Sequence, residues 1–215
     1  MKVAKFGGSS LANATQFAKV KAIVQSDPQR SVVVVSAIGK EQPSDHKITD
    51  LLYLMHAHLT YGVGVDELYA EIEAKHRAIH RDLNLSLDLE GLLRDIRNSF
   101  SQHLEVDELV SRGEYLSAAM MADYLGYTFI DAKDCIRLNY NGTIDDEKTY
   151  RQIQVLLKQY PRVVIPGFYG ALPNGKIKVM SRGGSDITGA LCAAALEAEA
   201  VSYTHLAGDS QMTLP

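Results

Sequence analysis

The spacing of apolar residues changes twice near the N-terminus. Residues 2–6 form a short apolar run, and residues 31–37 form an almost continuous β-branched run, which is typical of a strand covered on both faces. Between them, Phe17, Val20 and Val24 recur at helical spacing. The order strand, helix, strand predicts a βαβ unit and therefore a parallel sheet.

The same reading predicts the remaining elements. Helical spacing covers 47–59, 65–83, 87–104, a segment that begins near Val106 or Gly113 and runs to Leu125, 146–160 and 185–200. Extended runs cover 127–131 and 162–168, and 168–180 has the turn chemistry of a β-hairpin at Pro173-Asn174-Gly175. Gly126 is a predicted helix stop. The pattern predicts one α/β domain with a helical insertion at about 47–125.

Composition and charge narrow the class of protein. The chain has 215 residues, of which 46% are hydrophobic. Its net charge of −4 and the lack of a Lys/Arg block do not suggest a surface that neutralises nucleic-acid phosphates. Cys135 and Cys192 fit neither a disulfide framework nor a thiolate metal cage, so we expect reduced, buried thiols. The N-terminus lacks the apolar core of a signal peptide, and no apolar stretch reaches membrane-spanning length. We therefore expect a cytoplasmic protein with neither a nucleic acid nor a membrane as partner.

The turn after the first strand has the chemistry of an anion site. Lys5 is followed by Gly7, Gly8, Ser9 and Ser10, just before a predicted helix. Glycines let the backbone approach an anion, hydroxyls cap a helix or bond a phosphate oxygen, and lysine adds a full charge. A structural turn that simply joins a strand to a helix, without binding a ligand, explains this stretch about equally well. Neither the Walker pattern nor the dinucleotide fingerprint is present.

A second glycine turn, at residues 180–190, resembles the first. It brings Arg182, Gly183, Gly184, Ser185 and Asp186 to the start of a predicted helix. Two cationic turns in one α/β domain could face a single crevice, with one binding a phosphate and the other a carboxylate. An arginine suits the carboxylate because its planar fork bonds both oxygens, although a surface ion pair is an equal alternative.

His76 and His80 stand four residues apart, a spacing that can hold a metal on one face of a helix. No third ligand is evident, so we expect two partly exposed helix residues and no metal site.

Taken together, these motifs resemble those of the aspartate kinases, within the amino-acid-kinase family. The resemblance extends over about residues 1–200. It is carried by KFGGSS (5–10), VVVVSAIGK (32–40), ITDLL (48–52), SRGEYLSAAMMADYL (111–125) and PGFYGALPNGKIKVMSRGGSD (166–186). It implies a three-layer αβα sandwich with a mainly parallel sheet. It also implies a transferase that moves a phosphoryl group from ATP, with Mg²⁺, to the β-carboxylate of L-aspartate. The product, 4-phospho-L-aspartate, opens lysine, threonine and methionine biosynthesis.

The resemblance also implies roles for individual residues. Lys5 and Asp186 would be catalytic, Lys5 contacting the transferring phosphate and Asp186 holding the substrate amino group or orienting the active-site lysine. Glu114 would bind the substrate ammonium and Arg182 its α-carboxylate. The pocket for aspartate would be lined by Ser36, Thr49 and Ser185. The path of the phosphate would be lined by Gly7, Gly8, Ser9, Gly183 and Gly184.

Two segments depart from the family pattern. The polar loop at 41–47 is longer than usual and is expected to cover the pocket. Residues 201–215 have no strong periodicity and no phosphate-binding pattern, and we expect them to be unlike the family. The fold would then be incomplete in its C-terminal, nucleotide-binding half. We therefore expect the 215-residue chain to bind ATP weakly and to turn over negligibly.

Two alternative functions stay open. The first is another kinase of the same family, acting on glutamate, acetylglutamate, carbamate or UMP. The second is a non-catalytic fragment that binds only aspartate or a partner subunit. The charged helix predicted at 66–82 is most simply a solvated face, although a homodimer contact there stays open.

Overall fold

A five-stranded parallel sheet forms the centre of the fold. The computed structural model describes residues 1–181, 183–197 and 201–204. The strands are β1 (Lys2–Phe6), β2 (Arg30–Val35), β3 (Thr128–Phe129), β4 (Val163–Pro166), β5 (Tyr169–Ala171), β6 (Ile177–Val179) and β7 (Val201–Thr204). The large sheet has the order β3-β4-β2-β1-β7, and every adjacent pair in it is parallel. The predicted parallel sheet is confirmed.

The hairpin predicted around Pro173-Asn174-Gly175 is also present. Strands β5 and β6 pair antiparallel, with Gly170 opposite Lys178. Gly175 has φ +82°, a conformation that glycine adopts at little cost, and its N–H donates to the carbonyl of Leu172. Local turn chemistry therefore decides this element.

The helices follow the predicted apolar spacing closely. They are α1 (Ala14–Gln25), α2 (Ile48–Thr60), α3 (Asp66–Asp82), α4 (Leu89–Asn98), α5 (Val106–Val110), α6 (Arg112–Leu125), α7 (Ala132–Cys135), α8 (Asp146–Gln159) and α9 (Gly184–Ala195). Asn13 caps α1 by accepting the N–H of Gln16 at 3.0 Å. Gly126 ends α6 in the left-handed region, as predicted.

Helices cover both faces of the sheet. In β2, Val33 and Val35 pack into a core with helices α1 to α4 and α6, whereas Val32 and Val34 pack into a second core with α7 to α9. All four valines are fully buried. Alternate side chains of a strand point to opposite faces, so a β-branched run with no polar position marks a strand covered twice. The result is the three-layer αβα sandwich that the resemblance implied.

Several element boundaries differ from those predicted. The segment predicted as one helix over 87–104 ends at Asn98, where the hydroxyl and N–H of Ser99 both donate to the carbonyl of Ile96. The region from Val106 to Leu125 holds two helices, α5 and α6, that meet at Ser111. The predicted strand 127–131 shortens to two residues because Asp131 caps α7 instead, accepting the N–H of Lys133.

The segment after α9 departs from the expected pattern. The helix predicted over 185–200 ends at Ala195, and Glu197 adopts φ +48°, the left-handed conformation common just past a helix. Strand β7 then pairs parallel with β1, with Ala4 opposite Ser202. The sheet therefore continues past residue 200, the boundary expected from the sequence. Residues 205–215 lie outside the described residues.

The expectation that both cysteines are buried thiols is confirmed in the structure. Cys135 and Cys192 are free thiols with no exposed surface, and burial raises the pKa of Cys192 to about 12. Among the helices that the structure describes, none is both long and apolar enough to cross a lipid bilayer.

Candidate active site

Lys5 and Asp186 form an ion pair at one end of the sheet. Lys5 lies near the carboxyl end of β1, on the face that carries Val3, and Asp186 lies in the first turn of α9. The Nζ atom of Lys5 is 2.7 Å from Oδ1 of Asp186. The lysine side chain is 5% exposed and the aspartate side chain 48% exposed. A buried ammonium requires such a partner, and the open side of Asp186 faces solvent.

Glu114 places a buried carboxylate beside the same strand ends. It lies in the first turn of α6 and is 5% exposed. Burial raises the pKa of Glu114 to about 8, although backbone N–H groups of Ala37 and of Glu114 itself partly oppose the shift by hydrogen-bonding the carboxylate. Within the described structure its Oε2 atom has no hydrogen-bond partner. A buried, incompletely bonded carboxylate is a strong attractor for a cationic group.

Glycines let the loops after β1 and β2 touch. The N–H of Gly39 donates to the carbonyl of Gly8 at 2.9 Å. A Cβ atom on Gly39 would lie 2.4 Å from the carbonyl carbon of Gly8, and one on Gly8 would lie 2.9 Å from the carbonyl oxygen of Ala37. Both positions therefore require glycine because backbone occupies the space of a side chain.

The turn before α9 is packed just as closely. Gly183 has φ +83°, and a Cβ on Gly184 would lie 2.9 Å from Cδ2 of Phe168. A Cβ on Gly167 would lie 2.6 Å from Cβ of Ser185. Phe168 itself has φ +79°, which is rare for a bulky residue and is typical of strained backbone at functional sites.

These loops enclose one cavity of about 610 Å³ at the carboxyl ends of β1, β2 and β4. Most of the site residues predicted from the sequence line it: Lys5, Gly8, Ser9, Ser36, Thr49, Glu114, Gly183, Gly184, Ser185 and Asp186. Gly7 is not among the lining residues, and Arg182 lies outside the described residues. The two glycine turns therefore face a common crevice.

Six further residues line this cavity and were not predicted as site residues: Ala37, Ile38, Gly39, Lys40, Lys47 and Phe168. A sequence signal existed for two of them, because Lys40 and Lys47 bracket the long polar loop that departs from the family pattern. Nothing in the sequence marks Phe168 as a cavity residue, because its positive φ depends on how the surrounding turn packs.

The serines of the first turn do not cap α1, contrary to one interpretation of the sequence. Residues Gly8–Leu11 form a single 3-10 turn, and Asn13 supplies the cap. Ser10 is fully buried, whereas Ser9 lines the cavity. The hydroxyl that remains available to a ligand is therefore that of Ser9.

The two histidines at metal-binding spacing each contact a backbone carbonyl. His76 is fully buried, contrary to the expected partial exposure, and its Nδ1 atom is 2.7 Å from the carbonyl of Ile72. His80 contacts the carbonyl of Leu87 through Nε2 at 2.8 Å. Among the described residues, no three His, Cys, Asp or Glu side chains form a group that could hold a metal ion.

The fold and the cavity define the class of open α/β proteins that bind anionic ligands at the ends of parallel strands. The model of the amino acid kinase family matches residues 1–208, and the chain belongs to that family. Within the family, the similar proteins include aspartokinases. The chain is 34% identical to aspartokinase 3 of Bacillus subtilis, over 93% of this chain and 47% of the relative.

Solved structures give the same neighbours. Aspartate kinase of Clostridium acetobutylicum superposes with a TM-score of 0.92 at 40% identity, covering 97% of this chain and 48% of that one. Aspartokinase III of Escherichia coli, solved with aspartate and ADP, has a TM-score of 0.80 at 28% identity and covers 94% of this chain and 48% of that one. The chain thus spans about half the length of the relatives it matches.

Proposed function

We propose that the chain is the part of an aspartate kinase that binds L-aspartate, the acceptor of the phosphoryl group. The single observation that supports this most strongly is the shared cavity, in which the Lys5–Asp186 pair and the buried carboxylate of Glu114 meet two glycine-tightened turns. A site with a buried acidic group that can pair with an ammonium, and with cations for phosphate or carboxylate groups, suits an amino-acid substrate and a nucleoside triphosphate.

In the proposed complex, Glu114 binds the α-ammonium of L-aspartate. Arg182, by the family resemblance, binds the α-carboxylate. Ser36, Thr49 and Ser185 line the remainder of the pocket. This arrangement presents the β-carboxylate towards Lys5. Acetylglutamate, carbamate and UMP lack a free α-ammonium beside an α-carboxylate, so Glu114 and Arg182 together favour aspartate or glutamate over them.

The proposed reaction needs no general base because the β-carboxylate is already ionised at neutral pH. One of its oxygens attacks the γ-phosphorus of ATP, an O–P bond forms, and the bond to the bridging oxygen breaks as ADP leaves with the electron pair. The task of the protein is to position two anions and to offset the charge on the transferring group. Lys5 supplies the charge, while Gly8, Ser9, Gly183 and Gly184 allow close approach.

The residues that line the described cavity suit a Mg²⁺ ion that is bound mainly by the phosphates of the nucleotide. They do not suit an ion that is held by protein ligands alone. The described residues hold no cluster of three acidic, His or Cys ligands, and Mg²⁺ commonly combines one or two carboxylates with phosphate oxygens. Asp186 is the carboxylate that would hold it. When bound, the ion neutralises charge on the phosphate oxygens.

Calorimetry with L-aspartate tests the binding half of this proposal. We expect L-aspartate to bind, N-acetyl-L-aspartate to bind at least about tenfold more weakly, and Glu114→Gln to lose affinity for L-aspartate by a similar factor. Glu147→Gln on the exposed face of α8 is the matched control and is expected to bind normally. Equal affinity for the acetylated compound would refute the role of Glu114.

Measurement of aspartate-dependent ADP release tests the catalytic half. For the 215-residue chain alone we expect negligible turnover, as predicted from the sequence, because the matched relatives are about twice as long. Aspartate binding without a nucleotide response would identify a binding fragment. Faster turnover of glutamate, acetylglutamate, carbamate or UMP would identify a different kinase of the family.

A further inference from the structure

Two lysines at the mouth of the cavity have no assigned role. Lys40 and Lys47 both line the cavity, and both are exposed. The Nζ atom of Lys40 donates to the carbonyl of Pro43 at 3.3 Å. Neither lysine forms an ion pair with any residue that the structure describes. Lys40 does act at longer range on Asp45, whose pKa is lowered mainly by the backbone N–H of Gln42 and to a lesser extent by this lysine.

The polar loop between these lysines is held in a defined shape. Oε1 of Glu41 accepts the side-chain amide of Asn13 at 2.9 Å. The carboxylate of Asp45 accepts the backbone N–H groups of Glu41 and Gln42 at 2.9 and 3.1 Å. The Nζ atom of Lys75, on α3, donates to the carbonyl of His46 at 2.8 Å. Anchors on α1 and α3 therefore keep the loop beside the cavity.

The charge inside the cavity explains why further cations are needed. Lys5 is already neutralised in part by Asp186, whose Oδ1 atom lies 2.7 Å from its Nζ atom, so the described interior of the cavity has little positive charge left for a phosphate. A carboxylate and a terminal phosphate repel each other as they approach, and the repulsion is stronger inside a protein than in water. The described cavity contains three lysines, of which Lys40 and Lys47 are the two without a carboxylate partner.

We propose that Lys40 and Lys47 form a phosphate-binding pair that receives the polyphosphate chain of the nucleotide at the cavity mouth. The proposal rests on the proposed kinase function. In it, the long polar loop at 41–47 holds the two lysines beside the cavity. Lys40 directly follows Gly39, whose backbone is bonded to that of Gly8 in the first glycine turn. Lys40 therefore extends the path predicted for the phosphate, and Lys47 lines the same cavity two residues before Thr49.

Binding of inorganic tripolyphosphate to the 215-residue chain tests the pair. Calorimetry at fixed ionic strength compares wild type with Lys40→Met, Lys47→Met and the double variant. We expect each single change to weaken tripolyphosphate binding about fivefold and the double change about twentyfold, because each removes one charge-assisted contact. Affinity for L-aspartate is expected to change by less than about twofold, since the ammonium and α-carboxylate sites are untouched.

Two controls separate local contact from general charge. Lys158→Met removes one charge from an exposed position on α8 and is expected to leave tripolyphosphate binding unchanged. Lys40→Arg keeps the charge and is expected to retain most of the affinity. Both lysines are exposed, so thermal unfolding of the variants should match that of wild type.

Two outcomes would overturn the proposal: wild type fails to bind tripolyphosphate, or the double variant binds it as tightly as Lys158→Met does. In either case, normal L-aspartate binding would leave the proposed substrate site standing. Loss of L-aspartate binding in wild type, with tripolyphosphate bound through the lysines, would instead refute the proposed function and retain the phosphate pair.

Discussion

At the scale of single residues, Glu114 is an exception to the rule that buried polar atoms are hydrogen-bonded. Its carboxylate is 5% exposed, one oxygen has no partner within the described structure, and burial raises the pKa of Glu114 to about 8. Ionising this group in the folded protein costs stability. A fold retains such a residue where a ligand provides the missing partner, and the proposed ligand group is the substrate ammonium.

Replacing Glu114 with glutamine should therefore stabilise the free protein at high pH. The unfolded state ionises near pH 4.5 and the folded state near pH 8, so wild type loses stability as the pH rises through this interval. We expect Glu114→Gln to be more stable by about 3 kcal/mol at pH 8.5 and equally stable near pH 3, where the carboxyl is protonated in both states. Urea unfolding at both values measures the difference; a variant that is less stable at pH 8.5 contradicts it.

Binding of L-aspartate should release a proton from Glu114. At pH 6.5 the carboxyl is protonated in the free protein, and an ammonium docked against it favours the ionised form. We expect about one proton per bound aspartate, measured by calorimetry in buffers with different ionisation enthalpies. Glu114→Gln should bind weakly with no proton release. A buffer-independent binding enthalpy for wild type would show that Glu114 is already ionised.

At the scale of elements, the site depends on how closely three strand-to-helix connections approach one another. The loop after β1 touches the loop after β2 through Gly8 and Gly39, and the turn before α9 packs Gly184 against Phe168. Helix α6 adds Gly113, where a Cβ would lie 3.0 Å from that of Ala37. Glycine at these positions lets the backbone come close to neighbouring backbone or side-chain atoms, which places Lys5, Glu114 and Asp186 around one space.

Gly39→Ala should separate the loops after β1 and β2. The new Cβ would lie 2.4 Å from a backbone carbon of Gly8, which cannot rotate away as a side chain would. We expect a loss of about 2 kcal/mol in the free energy of unfolding and weaker L-aspartate binding. Gly64→Ala, at a glycine with open space around it, is the matched control and should change neither. Thermal and urea unfolding distinguish the two variants.

At the scale of the whole molecule, one sheet separates two cores. The larger core joins β1 and β2 to the helical segment between residues 48 and 125, and the other joins the same strands to helices α7 to α9. Asp186 comes from the helices of one layer and Glu114 from the helices of the other, while Lys5 comes from the sheet. Correct assembly of all three layers is therefore a condition for the cavity.

His76 makes the stability of the assembled fold depend on pH in the opposite sense from Glu114. Burial lowers the pKa of His76 to about 4 from an ordinary value of 6.5, so the unfolded state takes up a proton first as the pH falls. Stability should fall by about 3 kcal/mol between pH 6.5 and pH 4 on this account. His76→Leu should flatten the profile over that interval, and His103→Leu, at an exposed position, should not. Parallel profiles for His76→Leu and wild type would contradict the assignment.

Particular elements show how far the sequence predicts the fold. Strand β2 and the hairpin around Gly175 were predicted because a β-branched run and a turn glycine act through neighbours in the chain. The end of α4 at Asn98 and the short helix α7 were missed because Ser99 and Asp131 bond nearby backbone, which apolar spacing does not reveal. The strand at 201–204 was missed because its strongest contact is with β1, far away along the chain.

The sequence by itself determined three things: the alternation of strands and helices that makes the sheet parallel, the two glycine turns, and the family to which the chain belongs. These depend on local patterns and motifs. Only the tertiary structure decided that Lys5, Glu114 and Asp186 share one cavity, that Glu114 is buried with an unbonded oxygen, and that Lys40 and Lys47 stand at its mouth. The physical reason is that burial and the approach of one backbone to another are set by residues distant in the chain. The types of side chain determine which chemistry is available to the protein, and packing determines where in the fold that chemistry takes place.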